Sequence, residues 1–258
     1  MAYVDLLGQR TWYQPAKGRG KSVVLLHGGL SSTNSMWRSI GPGLRQHFSV
    51  SGFDRRGHGR SADTDAPFSY EAMADETIAF LEFLGRRSHL VGHSDGGIVA
   101  LAVARRRPDL VRRVVAIGAN YHHNGLMAME PFTPESASFP EFVEGYGAMA
   151  PEGPAHAAVV VEKARHLVES EPRWTSRYLA AIERPVLVMA GDDDVTTFRH
   201  LASMYEALRD AELAVVPGTS HGVLKERRGL ATRLIVEYLK SSLPPRTRSP
   251  IRRREVAP

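Results

Sequence analysis

Leu90-Val91-Gly92-His93-Ser94-Asp95-Gly96-Gly97-Ile98 says more about the architecture of this chain than any other segment. An apolar run ends in Gly-x-Ser-x-Gly, and Ile98, Leu101 and Ala102 continue at helical spacing. A strand that becomes a helix within so few residues leaves no room for side chains beside the turn, hence glycine at 92 and 96. The strain presents the Ser94 hydroxyl at the strand end, where the N-terminus of the following helix favours developing negative charge. A bare Gly-x-Ser-x-Gly arises by chance in a chain with 23 glycines. Set between a strand and a helix, it predicts a nucleophile.

A serine hydroxyl is a useful nucleophile only when a histidine takes its proton and an acid orients that histidine. Downstream, Pro185-Val186-Leu187-Val188-Met189-Ala190 reads as a strand ending in Gly191-Asp192-Asp193-Asp194. Leu213-Ala214-Val215-Val216-Pro217 reads as another, followed by Gly218-Thr219-Ser220-His221-Gly222. An acid and a base thus each fall on a loop just past a predicted strand. On the residues alone Asp192, Asp193 and Asp194 all remain open, since any of them also suits a turn or a helix cap ahead of Phe198.

Two further stretches complete a resemblance. His27-Gly28-Gly29 follows the apolar strand Ser22-Val23-Val24-Leu25-Leu26, and Asp54-Arg55-Arg56-Gly57-His58-Gly59-Arg60-Ser61 is close to D-x-R-G-x-G-x-S. With the Ser94 turn, these residues make the chain similar to the α/β-hydrolase superfamily over roughly residues 1–243. The resemblance implies a mostly parallel central sheet flanked by helices, with a helical cap inserted at about 121–183 and no cofactor or metal. It implies the chain order nucleophile, acid, base: Ser94, Asp194 and His221. Asp194 is selected because the family's acid lies three residues past the strand-end glycine. The family's later proline is replaced here by Val195-Thr196-Thr197, which keeps Asp192 and Asp193 open. The oxyanion donors implied are the backbone N–H of Asp95 and one from the loop after the Val23 strand, Gly29 first and Leu30 second. His27 is expected to brace that loop, and Arg55-Arg56 the neighbouring turn.

Composition agrees with this class. A chain of 258 residues, 43% hydrophobic and 24% charged, suits one large α/β domain with a sizeable core. The absence of cysteine excludes disulfides, thiolate zinc sites and a cysteine nucleophile. No apolar run is long enough to cross a bilayer and nothing resembles a signal peptide, so the expected address is the cytoplasm. Most of the net charge of +5 sits at the end: residues 244–258 hold Arg246, Arg248, Arg252, Arg253 and Arg254 against Glu255. That Pro- and Arg-rich tail is expected to be disordered. Without aromatic interleaving it predicts no nucleic-acid partner. No membrane partner is expected either, and the protein is expected to be a monomer or homodimer.

Strand and helix patterns alternate along the chain. The expected elements are a hairpin over 3–13, helices near 36–47 and 70–84 (the latter capped by Ser69), a strand over 111–118 and a last helix over 223–243. The segment 121–183 breaks this alternation with six prolines and a helical stretch at 155–170. As a cap it would supply the walls of an acyl pocket. The candidates are Met127, Phe132, Phe142, Tyr146 and Trp174, with Met129, Phe139, Met149 and Tyr178 beside them. His122-His123 is no metal site on this reading, because adjacent strand residues point opposite ways and no acid lies at ligand spacing.

The expected activity is hydrolysis of a small carboxylic ester through an acyl-enzyme. Ser94-Asp95-Gly96-Gly97 and Ile117-Gly118-Ala119-Asn120 are similar to valacyclovir-hydrolase-like proteins, which cleave α-amino-acid esters. In those the Asp after the nucleophile pairs with the substrate ammonium, so the resemblance makes Asp95 a substrate-binding candidate. The simpler role for Asp95 is a favourable acid at a helix N-terminus. Carbon–carbon bond hydrolases, thioesterases and cofactor-free perhydrolases share this core. A non-catalytic ligand-binding or signalling protein could also retain it.

Overall fold

A computed structural model describes residues 2–128 and 130–241. Met129 and the basic tail lie outside the described residues, and so do the expectations attached to them. Eight strands form one sheet: β1 (Tyr3–Leu6), β2 (Gln9–Lys17), β3 (Ser22–Leu26), β4 (Ser49–Phe53), β5 (Ser88–His93), β6 (Val111–Ile117), β7 (Val186–Asp193) and β8 (Ala211–Ser220), in the order β1-β2-β4-β3-β5-β6-β7-β8. β1–β2 and β2–β4 pair antiparallel, and every other neighbour is parallel. The parallel strands β3 and β7 carry near-continuous apolar runs, and β4 is buried throughout, because helices cover both faces.

The pleat divides these runs between two layers. Val24, Leu26, Leu90, Val114, Ala116 and Val188 face α2 (Tyr70–Leu84) and α3 (Asp95–Arg106). Val23, Leu25, Val91, Val115, Ile117 and Met189 face α1 (Thr33–Leu44) and the last helix. α3 is buried from Asp95 through Ala104, as its Ala- and Val-rich sequence allows.

Ser69 caps α2 as read, accepting the Ala72 N–H at 3.2 Å. α1 begins three residues earlier than its apolar pattern indicates. The cause is remote: the buried carboxylate of Asp54 accepts the Thr33 N–H at 2.8 Å, while the Ser32 side chain makes no cap bond. Between β6 and β7 lie α4 (Phe139–Gly147), α5 (Ala157–Ser170) and α6 (Ser176–Ala180), followed after β7 by α7 (Phe198–Ala207). His122 and His123 do not diverge. They enter a tight turn rather than a strand, and their rings stack at 4.6 Å. The last helix is not continuous but divides into α8 (Val223–Glu226) and α9 (Arg228–Lys240) at Arg227. The reason is a tether: Glu226 accepts from the Ser220 N–H and hydroxyl, both at 2.7 Å, and this folds α8 back against the His221 loop.

Candidate active site

The candidate side chains gather at the C-terminal ends of the parallel strands. Ser94 sits between β5 and α3 at φ 54, ψ −123, a backbone state that non-glycine residues seldom hold. A Cβ at Gly92 would run into the Gly96 carbonyl, and one at Gly96 into the Leu26 carbonyl, so the turn tolerates only glycine there.

β7 delivers Asp194 and β8 delivers His221. His221 Nδ1 lies 2.8 Å from Asp194 Oδ1. Asp192 instead accepts the Thr219 N–H at 3.0 Å, and Asp193 is exposed, so of the three acids the structure brings Asp194 to the histidine. Burial works to raise the Asp194 pKa. Hydrogen bonds from His221 and from the N–H groups of Thr196 and Gly191, with the His221 charge, outweigh it and hold the carboxyl below its ordinary range. Among the described residues no hydrogen bond joins Ser94 to His221. Such links are often long before substrate is bound.

Two residues of this site have no role assigned to them by the sequence reading, although both stand in its motifs. Gly118 follows β6 at φ +57, and a Cβ there would lie 2.8 Å from the His221 ring. His93 donates from Nε2 to the His221 carbonyl at 2.8 Å, and their rings are 4.8 Å apart. Burial, then the neighbouring His221, lowers the His93 pKa to about 4, so it serves as a neutral donor. Its only signal in the sequence is its place just before the nucleophile.

The loop after β3 passes beside Ser94. Leu30 has φ 48, and among the described residues no hydrogen bond takes up the N–H of Gly29 or Leu30. Asp95 shares a cavity wall with Gly29, Leu30 and Ser94. Its carboxylate is turned inward: Oδ1 accepts from the Tyr70 hydroxyl at 3.0 Å, and Oδ2 packs where a Gly29 side chain would be. Burial raises its pKa despite the pull of Arg55 and Tyr70. Arg56 holds the neighbouring turn as read, through Asp63, Thr64 and Ala66. Arg55 does not. It is fully buried and donates to the carbonyls of His27 at 2.7 Å and Gly28 at 3.3 Å, so it braces the Gly29 loop together with His27.

The cavity above Ser94 measures about 610 Å³ and is walled by Leu126, Met127 and Phe132 and by Val161, Ala164 and Val168 of α5. Phe142 and Tyr146, with Met149, line a second cavity of about 510 Å³ that meets the first at Leu30 and Phe132. Trp174 is in neither. It stacks on Tyr178 at 4.2 Å and borders a separate cleft with Tyr70 and Glu171, because α6 packs against α7 and Tyr178 lies under the Arg105 guanidinium of α3 rather than beside the nucleophile.

A family model described as "Alpha/beta hydrolase family" matches residues 23–233. An Agrobacterium fabrum protein with the name "Putative carbamate hydrolase RutD" is 25% identical over 241 residues, covering 84% of this chain and 92% of that protein. A namesake from a Caulobacter species is 36% identical over 116 residues, 44% of this chain. That match and two like it span only 42%, 37% and 38% of the relatives' own lengths. The crystal structure of an enol-lactonase from Burkholderia xenovorans has a TM-score of 0.73 at 20% identity, covering 93% of this chain and 100% of that one. A thermophilic esterase from Thermogutta terrifontis has a TM-score of 0.72 at 22% identity, covering 93% and 98%. Similarity at this level concerns the fold.

Proposed function

This chain belongs to the alpha/beta hydrolase family, and we propose that it is a serine hydrolase that cleaves small carboxylic esters through an acyl-enzyme. The observation that carries this reading is the ordered pair Asp194–His221 at 2.8 Å on the loops after β7 and β8, beside a strained Ser94 after β5. His221 takes the Ser94 proton as the hydroxyl attacks the carbonyl, and later gives it to the leaving alcohol. Asp194 keeps the hydrogen on Nδ1 and stabilises the imidazolium. Negative charge that develops on the carbonyl oxygen is met by the N–H of Asp95 and by that of Gly29 or Leu30. Water then attacks the acyl-enzyme by the same route in reverse.

The cavity of about 610 Å³ suits a small acyl group. Met127 and Phe132 are proposed to contact it, and Phe142 and Tyr146 to bound the adjoining space. The inward setting of Asp95, already bonded to Tyr70, favours simple acyl esters over aminoacyl esters. The test is hydrolysis of p-nitrophenyl butyrate and labelling by a fluorophosphonate, each in wild type and Ser94→Ala. Both signals should vanish in the variant. Labelling that survives the loss of the Ser94 hydroxyl would overturn the assignment.

A further inference from the structure

The peptide between Gly28 and Gly29 carries the Gly29 N–H at one end and the Gly28 carbonyl at the other, and amide resonance couples the two. That carbonyl lies 2.7 Å from His27 Nδ1 and accepts from Arg55 Nη2 at 3.3 Å. The neighbours of His27 fix its proton. Nε2 is 3.2 Å from the backbone N–H of Arg55 and must accept, so Nδ1 holds the hydrogen and donates to the Gly28 carbonyl. Arg55 Nη1 donates to the preceding carbonyl, that of His27, at 2.7 Å. With Nδ1 protonated, among the described residues the hydrogen bonds from the Arg55 guanidinium end on the carbonyls of His27 and Gly28. The guanidinium is fully buried, and the carboxylates of Asp95, Glu76 and Asp54 offset its charge. A buried cation is costly to keep, and this one is spent on the backbone of a single loop.

We propose that Arg55 and His27 are positioning residues that polarise the Gly28–Gly29 peptide and so strengthen the Gly29 N–H as a donor to the substrate oxyanion. Donors on a carbonyl draw electron density along the amide, which makes its N–H more positive, and charged donors act most strongly. The two bonds from Arg55 to consecutive carbonyls also fix the tilt of the peptide. The inference rests on the acyl-enzyme reading above.

The test compares an ester with its thionoester, which differs only in sulfur for oxygen at the scissile carbonyl. Sulfur accepts hydrogen bonds poorly, so the ratio of the two kcat values reads donor strength, which a merely structural role would leave alone. In Arg55→Met, which keeps length without charge, kcat for the ester should fall about 10- to 100-fold, less than the ~10²–10³ for deleting an oxyanion donor outright. KM should stay within roughly threefold, and the thionoester should lose far less, so the ratio collapses. Arg55→Lys should show a smaller fall of the ratio in the same direction. If Arg55→Met fails to give a cooperative melt, the ratio in Arg55→Lys decides. A ratio equal to wild type in the folded variant, whatever the absolute rates, would overturn the inference and leave Arg55 as support for the loop. A wild type that cleaves neither compound would instead overturn the hydrolytic reading, and the inference with it.

Discussion

Replacing Gly118 with alanine should injure the site through one methyl group. The added Cβ would lie 2.8 Å from both Cε1 and Nδ1 of His221 and 3.3 Å from Asp194 Oδ2. Ordinary van der Waals contact begins at 3.4 Å, so the imidazole must retreat by about 0.6 Å. It has little freedom to do so. Nδ1 is held by Asp194 at 2.8 Å, and the His221 carbonyl is held by His93 at the same distance. A catalytic group misplaced by ~1 Å costs ~10²-fold in rate, so this displacement implies a loss of roughly 10- to 100-fold in kcat. The left-handed φ of +57 adds a separate penalty. For alanine it is about 1–2 kcal/mol, a fall of some ~2–8 °C in Tm for a domain of this size. The two effects are separable by assaying p-nitrophenyl butyrate well below the melt. Fluorophosphonate labelling should slow in parallel with kcat, while KM changes little. A variant that melts earlier yet keeps wild-type kcat would refute the reasoning, because it would mean that His221 does not work from the position it occupies beside Gly118.

Asp194→Asn should lower kcat by about 10³–10⁴, the scale of a misoriented histidine, whereas Asp193→Asn should be near neutral; the reverse order in steady-state assays would move the acid to Asp193. Because Asp194 is held below its usual 3.8, its contribution to stability is fully present above that pH and is lost as pH falls through the lower folded value. Urea titrations of Asp194→Asn should therefore show a flatter acid limb. Asp95→Asn keeps the backbone N–H but weakens the bond from Tyr70 and removes a counter-charge of Arg55, so aminoacyl and simple acyl esters should lose activity equally. Loss confined to aminoacyl esters would restore ammonium recognition. His89 is buried, among the described residues neither of its ring nitrogens has a hydrogen-bond partner, and burial together with Arg112, Lys21 and Arg113 lowers its pKa from 6.5 to about 3. The unfolded chain therefore takes up a proton as pH falls below 6.5 and the folded protein does not. His89→Leu should leave stability at pH 7 nearly unchanged and gain on the order of 2 kcal/mol relative to wild type at pH 5. Parallel slopes for the two proteins between pH 7 and 5 would contradict this.

The parts whose chemistry is local are legible in the order of the amino acids. The Ser94 turn is legible because a strand-to-helix elbow demands glycine within two residues on either side, and Gly92 and Gly96 are there. The order of Ser94, acid and base is legible because each stands on a loop just after an apolar run, and parallel strands put such loops on one edge of the sheet. Ser69 could be read as a cap for the same reason, since its partner is only three residues away. The resemblance favoured Asp194 but left Asp192 and Asp193 open, and it is the folded chain that brings Asp194 to His221.

What depends on partners far along the chain emerges only once the chain is packed. Arg55 reads as a turn residue until its guanidinium is found on carbonyls 28 and 27 positions away. His93 meets the His221 carbonyl across 128 positions, and Tyr70 meets Asp95 across 25. Asp54 starts α1 from 21 positions away, and the Ser220–Glu226 tether breaks an apolar pattern that otherwise predicts one long helix. Trp174 and Phe132 look alike as apolar residues of one inserted segment, yet they border different cavities. Periodicity records that a side chain is buried, but the surface that buries it is set by how whole helices pack, and a buried charge or hydrogen bond is placed only when that packing closes around it.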